Sequence, residues 1–123
     1  DIALCAVGSM VKTAVSVREL LKEKGYSCSL VNARFVKPID QELIHSISLT
    51  HTLLVTMEEN VQSGGYGEKV RSYLDEIQST CNLLTIAIPD EYVEHGNPEL
   101  LKQEIGIDPE GIVERIIRSL NKK

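Results

Sequence analysis

The sequence has little basic charge, and this lack bears first on the partners that the chain can bind. It carries 13 Lys and Arg against 18 Asp and Glu, which gives a formal net charge of -5 at pH 7 and a pI near 5.2. Nucleic acids and anionic lipid surfaces are bound mainly through clustered basic side chains. We therefore expect neither nucleic acid nor a membrane among the partners.

Long apolar runs and patterned cysteines are also missing. No stretch approaches the ~20 consecutive apolar residues of a membrane-spanning helix, and the first residues form no signal-peptide pattern. The three cysteines, Cys5, Cys28 and Cys81, show no CxxC or Cys/His ligand spacing. This spacing favours free thiols over a zinc site or a disulfide framework. Together these absences predict a cytoplasmic domain.

The length of 123 residues suits one domain with a single region of buried core. The chain begins at Asp1 with no initiator methionine, and an apolar run over residues 2–7 follows at once. We therefore expect residues 1–123 to be one domain of a longer polypeptide.

Apolar runs typical of buried strands alternate with amphipathic patterns typical of helices. The predicted strands cover residues 1–7, 26–32, 53–57 and 83–88. The predicted helices begin after Ser9, Asp40, Gly67 and Asp108, and a further short helix covers 98–103. The alternation predicts an α/β fold, a three-layer α/β/α sandwich with a mostly parallel sheet of four to five strands.

The stretch 53–67 is the most distinctive part of the sequence. The predicted strand ends in two carboxylates and an amide, and a glycine cluster precedes the next helix: Glu58, Glu59, Asn60, Gly64, Gly65 and Gly67. Ligands of parallel sheets bind beyond the carboxyl ends of the strands, so this stretch is a candidate site. Successive side chains of a strand point to opposite faces, so the two carboxylates are poorly placed to share one proton. We expect one to be buried and bonded to loop amides and the other to be solvated.

The glycines have two interpretations. Glycines before a helix can bind a phosphate through backbone N–H groups, but the spacing matches neither GxGxxG nor GxxxxGK[ST]. A tight turn is favoured, and an anion site stays an alternative.

Arg34 follows the second strand and is a candidate to pair with Glu58, Glu59 or an anionic ligand. His95 is a candidate for a loop or interface role rather than a proton shuttle. The sequence contains no recognisable Ser-His-Asp, Cys-His or metal-ligand constellation.

Four ordered motifs carry a family resemblance. They are RFVKPID at 34–40, VTMEEN at 55–60, GGYG at 64–67 and IPDEYVEHG at 88–96. Together they resemble the C-terminal domain of the transketolase-like thiamine enzymes, and most closely the 1-deoxy-D-xylulose-5-phosphate synthase family. The resemblance extends over nearly the whole chain.

The resemblance implies a homodimeric parent enzyme that condenses pyruvate with glyceraldehyde 3-phosphate, for the synthesis of isoprenoids and thiamine. It also implies that thiamine diphosphate and Mg²⁺ are bound by domains outside this chain, and that the chain holds no catalytic, cofactor-binding or metal-binding residue. The matched family positions are structural or interfacial: Arg34, Glu58, Glu59, Asn60, Gly64 and Gly65. The domain alone would then be inactive, with the remaining domains of the parent enzyme as its partners. The alternative is a stand-alone doubly wound module that binds a small anion at the Gly64–Gly67 turn.

Overall fold

Strands and helices alternate along the chain. The computed structural model describes residues 1–8, 10–33, 39–61, 65–89 and 108–121. Four strands and four helices lie in these ranges: β1 (Ile2–Val7), α1 (Met10–Glu23), β2 (Cys28–Ala33), α2 (Gln41–Thr50), β3 (Leu53–Val61), α3 (Tyr66–Glu76), β4 (Asn82–Pro89) and α4 (Pro109–Asn121). The short helix predicted over 98–103 lies outside the described residues.

The four described strands form one parallel sheet in the order β2-β1-β3-β4. At one end of the sheet, Ile2 pairs with both Cys28 of β2 and Leu53 of β3, and these pairs define the register of the three strands. The chain runs from β1 to one side of the sheet and then to the other, so the direction of winding reverses between β1 and β3. In doubly wound folds this reversal leaves a crevice at the carboxyl ends of the two strands.

Two apolar clusters cover the two faces of the sheet. Helices α1 and α4 pack on one face, where Leu4 and Val55 belong to the same cluster as Val17 and Ile116. Helices α2 and α3 pack on the other face, against Ala3, Cys5 and Leu54. Because β1 and the first part of β3 are buried on both faces, residues 2–7 and 53–57 are mostly apolar rather than alternating in pattern. The predicted three-layer α/β/α arrangement with a parallel sheet is therefore confirmed.

Local sequence accounts for several helix ends. The side chain of Asp40 accepts a hydrogen bond from the Leu43 backbone N–H at 3.1 Å, which makes Asp40 the N-cap of α2 and confirms the predicted start of this helix. Helix α1 ends at Glu23, and Gly25 follows it with a φ of +90°, which allows the Gly25 N–H to reach Lys22 O and the Tyr26 N–H to reach Leu21 O. This pair of bonds is the Schellman motif, which satisfies carbonyls that the helix leaves without a partner.

The predicted end of the third strand is wrong. We expected the strand to stop before Glu58, but β3 continues to Val61. Glu58 pairs with Ala87 and Glu59 with Ile88 of β4, and the register shifts before Val61 meets Pro89. The neighbouring strand extends far enough to bind the backbone of these polar residues, so tertiary pairing overrides their weak strand propensity. Glu58 consequently lies within the sheet and not in a loop beyond it.

Within the described ranges, no helix has both the length and the apolar character needed to cross a bilayer. The cytoplasmic location of the protein stays a prediction.

Candidate functional site

The candidate site lies where β3 passes beneath the first turn of α3. Glu58 is in the second half of β3, towards the carboxyl ends of the parallel strands, where doubly wound folds bind their ligands. Its side chain is on the face of the sheet that α2 and α3 cover, because Leu54 and Thr56 precede it at two-residue intervals and Leu54 belongs to that cluster. Helix α3 begins at Tyr66 after the glycine-containing connection. Sheet and helix therefore meet at this carboxylate.

Glu58 accepts hydrogen bonds from the first two amides of α3. Its Oε1 accepts from the Tyr66 N–H at 2.9 Å and its Oε2 from the Gly67 N–H at 2.6 Å, and the residue is only 7% exposed. The first amides of a helix have no carbonyl partner within the helix, and its N-terminus carries partial positive charge. A carboxylate is therefore well matched to this position on both counts.

Gly67 allows α3 to lie directly on the sheet. A Cβ atom at this position would be 2.9 Å from Thr56 Oγ1, 3.0 Å from Thr85 Cγ2 and 3.1 Å from Glu58 Oε2. The first two of these neighbours belong to strands β3 and β4, which the sheet holds in place. Glycine is thus required at residue 67 by the close approach of helix and sheet. The tight turn favoured from the sequence does not explain this glycine.

Gly65 is the N-cap of α3, and it makes no side-chain capping bond because it has no side chain. Its φ of -66° and ψ of 179° are open to any residue, so its backbone does not require glycine. Capping residues usually bind the amides of the first turn with their own side chain. Here Glu58 binds these amides instead, although it comes seven residues before Gly65 in the sequence.

The side chains around Glu58 are buried and hold their protons. Tyr66 is 3% exposed, and burial raises its pKa, with further contributions from Cys5, Asp40 and Glu58 nearby. Burial also raises the pKa of the Cys5 thiol, which is fully buried in β1, from 9.0 to about 12, with a smaller contribution from Cys81. At neutral pH neither group is the anion that nucleophilic chemistry requires.

Thr56 completes this layer. Its Oγ1 is buried and has no hydrogen-bond partner among the residues that the structure describes. The hydroxyl is located below the first turn of α3, at the point where a Gly67 side chain would clash. Helix and sheet are therefore in close contact at this point, where a Cβ atom added at residue 67 would be 2.9 Å from the hydroxyl.

The start of α3 is therefore poorly suited to bind an anionic ligand. The positive end of a helix is an anion site, and here the anion is the carboxylate of the same chain. A phosphate or carboxylate ligand would have to displace Glu58 from two buried amides. Within the described ranges, no group of three or more His, Cys, Asp or Glu side chains is placed to hold a metal ion.

The structure describes only some of the residues that the sequence singled out. It places Glu58 under the first turn of α3, for which Gly65 is the N-cap. One carboxylate is buried against backbone amides as predicted, but these amides belong to α3 and not to a loop. Glu59 and Asn60 belong to β3, and only their backbone is described. Arg34, Gly64 and His95 lie outside the described residues. The pairing of Arg34 with a strand-end carboxylate, and every interface role, stay predictions.

Sequence reasoning missed the parts played by Tyr66, Gly67 and Thr56. A hint was present for Gly67, because a glycine inside the first turn of an amphipathic helix costs stability unless close packing requires it. No local pattern marks Thr56, since a threonine in a strand is ordinary.

Comparisons with known proteins agree with the fold. The family model described as transketolase, C-terminal domain, matches residues 1–112. A 1-deoxy-D-xylulose-5-phosphate synthase of Lachnoclostridium phytofermentans is 51% identical over 119 residues, which are 96% of this chain and 19% of that protein. The protein of the same name from Dehalococcoides mccartyi strain CBDB1 is 41% identical, over 95% of this chain and 18% of its own length. That from Clostridium perfringens strain SM101 is 40% identical, over 97% of this chain and 19% of its own length.

The chain thus spans about a fifth of the length of the curated relatives it matches. The family model covers the strands, the first three helices and the start of α4, including Glu58 and the first turn of α3. The predicted resemblance is confirmed, and the chain belongs to the transketolase C-terminal domain family.

Proposed function

We propose that this chain is the C-terminal domain of a thiamine-diphosphate-dependent transferase that condenses pyruvate with glyceraldehyde 3-phosphate to 1-deoxy-D-xylulose 5-phosphate and CO₂. Within that enzyme its contribution is structural: it packs on the remaining domains and supports a homodimer. The family match and the printed names of the relatives support this proposal.

The observation that carries the structural role is the use of Glu58. Doubly wound folds bind ligands at the carboxyl ends of the strands where the winding reverses, and Glu58 lies towards that end of β3. Both of its oxygens accept bonds from buried amides of α3. A residue placed in this way stabilises the junction of sheet and helix, and it is poorly available to a substrate.

The described residues also suit thiamine diphosphate poorly. A diphosphate group is commonly bound by the free amides of a helix N-terminus, and the first two amides of α3 have Glu58 as their acceptor. We therefore assign binding of thiamine diphosphate and Mg²⁺ to other domains of the parent enzyme, and we derive no catalytic step from this chain. The same contacts weigh against a stand-alone module that binds a small anion at the Gly64–Gly67 turn.

The experiment compares the complete parent enzyme, the parent ending before Asp1, and the 123-residue chain alone. We expect the complete enzyme to form 1-deoxy-D-xylulose 5-phosphate when thiamine diphosphate, Mg²⁺ and both substrates are supplied. We expect the isolated chain to give no binding heat with thiamine diphosphate and Mg²⁺ in calorimetry. The truncated parent should lose dimer, measured by sedimentation, and lose turnover with it.

Two results would contradict the proposal. One is thiamine diphosphate binding by the isolated chain with an affinity near that of the complete enzyme. The other is a truncated parent that keeps both its dimer and its turnover. Binding of inorganic phosphate or diphosphate by the isolated chain, lost in a Gly67→Ala variant that still folds, would favour the anion-binding module instead.

A further inference from the structure

The first residue of the chain lies at the amino-terminal edge of the sheet, against the start of β3. The backbone carbonyl of Asp1 accepts hydrogen bonds from the Thr52 N–H at 3.0 Å, the Thr52 hydroxyl at 3.1 Å and the Leu53 N–H at 3.4 Å. Asp1 itself is exposed. A polypeptide that continues on the amino-terminal side of Asp1 therefore starts at this edge of the sheet, between Thr52 and Ser27, whose carbonyl accepts from the Ile2 N–H at 3.1 Å.

A groove opens beside Thr52. Its volume is about 420 Å³, and it is lined by residues 48–52, at the end of α2, and 80–82, at the start of β4. We call these residues the amino-end surface. Most of them are Ser, Thr, His or Asn, and such side chains can accommodate the polar backbone of an extended segment.

One residue of the amino-end surface is apolar and exposed. Leu49 is 73% exposed on α2, well above Val15, the other large apolar residue exposed in the described part of the chain, at 39%. A single exposed leucine is ordinary on a protein surface. Leu49 is informative because it borders the groove next to the exit of the chain from Asp1.

The groove wall next to Leu49 is held in a defined position. The His51 N–H donates to Ile47 O at 3.0 Å, and the His51 ring makes hydrogen-bond contacts with Ser29 Oγ at 2.9 Å through Nε2 and with Ile47 O at 3.1 Å through Nδ1. Nδ1 also lies 2.9 Å from Thr50 Oγ1, so contacts at both ring nitrogens fix the orientation of the imidazole. A surface that is ordered before binding loses little entropy when a segment docks on it.

We propose that the amino-end surface docks the segment that immediately precedes Asp1 in the parent enzyme, with an apolar side chain of that segment covering Leu49. This inference rests on the proposed function, namely that the chain is the C-terminal domain of a longer transferase. It is supported by the lengths of the relatives, of which this chain matches 19% and 18%. A tethered segment has a high effective concentration at a neighbouring surface, so a groove of this size and one leucine suffice to hold it.

The test uses the complete parent enzyme and hydrogen exchange read by mass spectrometry. In the unmodified enzyme, the amides just before Asp1 should exchange slowly. Leu49→Glu should speed their exchange about tenfold or more, the factor expected when one leucine contact is lost from a docked segment. The matched control is Ser46→Glu, which adds the same charge at another exposed position of α2 and should leave the exchange unchanged.

Two results would overturn the proposal: fast exchange of the preceding segment in the unmodified enzyme, or equal exchange in the Leu49→Glu and Ser46→Glu variants. Because Leu49 is mostly exposed, folding of the variant should be normal, and slow exchange of β1 and β3 would verify this. Turnover of pyruvate with glyceraldehyde 3-phosphate is measured on the same samples. An enzyme that shows the exchange pattern without this turnover would refute the proposed reaction and leave the docking inference standing.

Discussion

Replacement of Glu58 tests the structural reading of the candidate site most directly. Glu58→Ala removes the acceptor of the Tyr66 and Gly67 amides, which lie in a buried layer between β3 and α3. The backbone of Glu58 stays in the strand and still pairs with Ala87. The variant therefore isolates the two side-chain hydrogen bonds and the charge at the end of the helix.

The expected loss of stability follows from three contributions. Each buried amide left without an acceptor costs about 1–3 kcal/mol. Loss of the negative charge at the helix N-terminus costs about 0.3–1 kcal/mol more. Water that enters the space of the missing side chain recovers part of the first cost. We therefore expect Glu58→Ala to lower the free energy of unfolding by about 3 kcal/mol, a large share of the roughly 5–15 kcal/mol typical of a domain.

Glu58→Gln separates charge from hydrogen bonding. Its carbonyl oxygen can still accept from one amide, but its NH₂ group faces the other amide as donor against donor. We expect Glu58→Gln to lower the free energy of unfolding by about 2 kcal/mol, so its stability should lie between those of the unmodified chain and Glu58→Ala. The matched control is Glu76→Gln, at the exposed end of α3, where loss of a negative charge near a helix C-terminus should change stability by less than about 0.5 kcal/mol.

The assay is urea unfolding of the 123-residue chain at pH 7, followed by circular dichroism. With a slope of about 2 kcal/mol per molar urea, Glu58→Ala should lower the unfolding midpoint by about 1.5 M. If Glu58→Ala and Glu76→Gln give the same midpoint within about 0.2 M, the carboxylate does not hold α3 on the sheet. The structural reading of Glu58, and with it the main argument against a ligand site there, would then fail.

Three further predictions concern other positions. Gly67→Ala should destabilise the chain by about 2–4 kcal/mol in the same assay, because its Cβ would be 2.9–3.1 Å from three packed groups. Ser72→Ala, on the exposed side of α3, should be nearly neutral, and equal unfolding midpoints for the two variants would refute the close approach of helix and sheet. Gln78→Gly should raise the free energy of unfolding by about 0.5–1 kcal/mol, because Gln78 ends α3 at a φ of +54°; a loss of stability would contradict this assignment. Stability should fall as pH rises from 9 towards 12, because the unfolded chain releases the Cys5 proton above pH 9.0 while the folded chain keeps it to about pH 12. The slope of that fall, at most about 1.4 kcal/mol per pH unit for one thiol, should be smaller in Cys5→Ala, and identical slopes would show that Cys5 is not protected.

Much of the fold follows from local sequence. The apolar runs and amphipathic patterns predict each described strand and helix, since burial on both faces of a parallel sheet leaves a continuous apolar run in the chain. Asp40 and Gly25 mark helix ends because their effect depends only on neighbouring backbone groups. The motifs also place the chain in its family, because their order and spacing are properties of the sequence itself.

The candidate site depended on contacts between distant parts of the chain. Two adjacent glutamates look alike in sequence, and only the packing of α3 on β3 puts Glu58 against two buried amides. The true end of β3 is set by how far β4 runs beside it, which no pattern within 53–61 contains.

The need for glycine at residue 67 likewise comes from strand side chains at Thr56 and Thr85, eleven and eighteen positions away by the printed numbering. The sequence by itself determined the layers, the approximate positions of the elements and the family, because these depend on periodicity and local capping. The tertiary structure alone decided which carboxylate is buried and what it binds, because burial and hydrogen-bond partners depend on which elements meet in space.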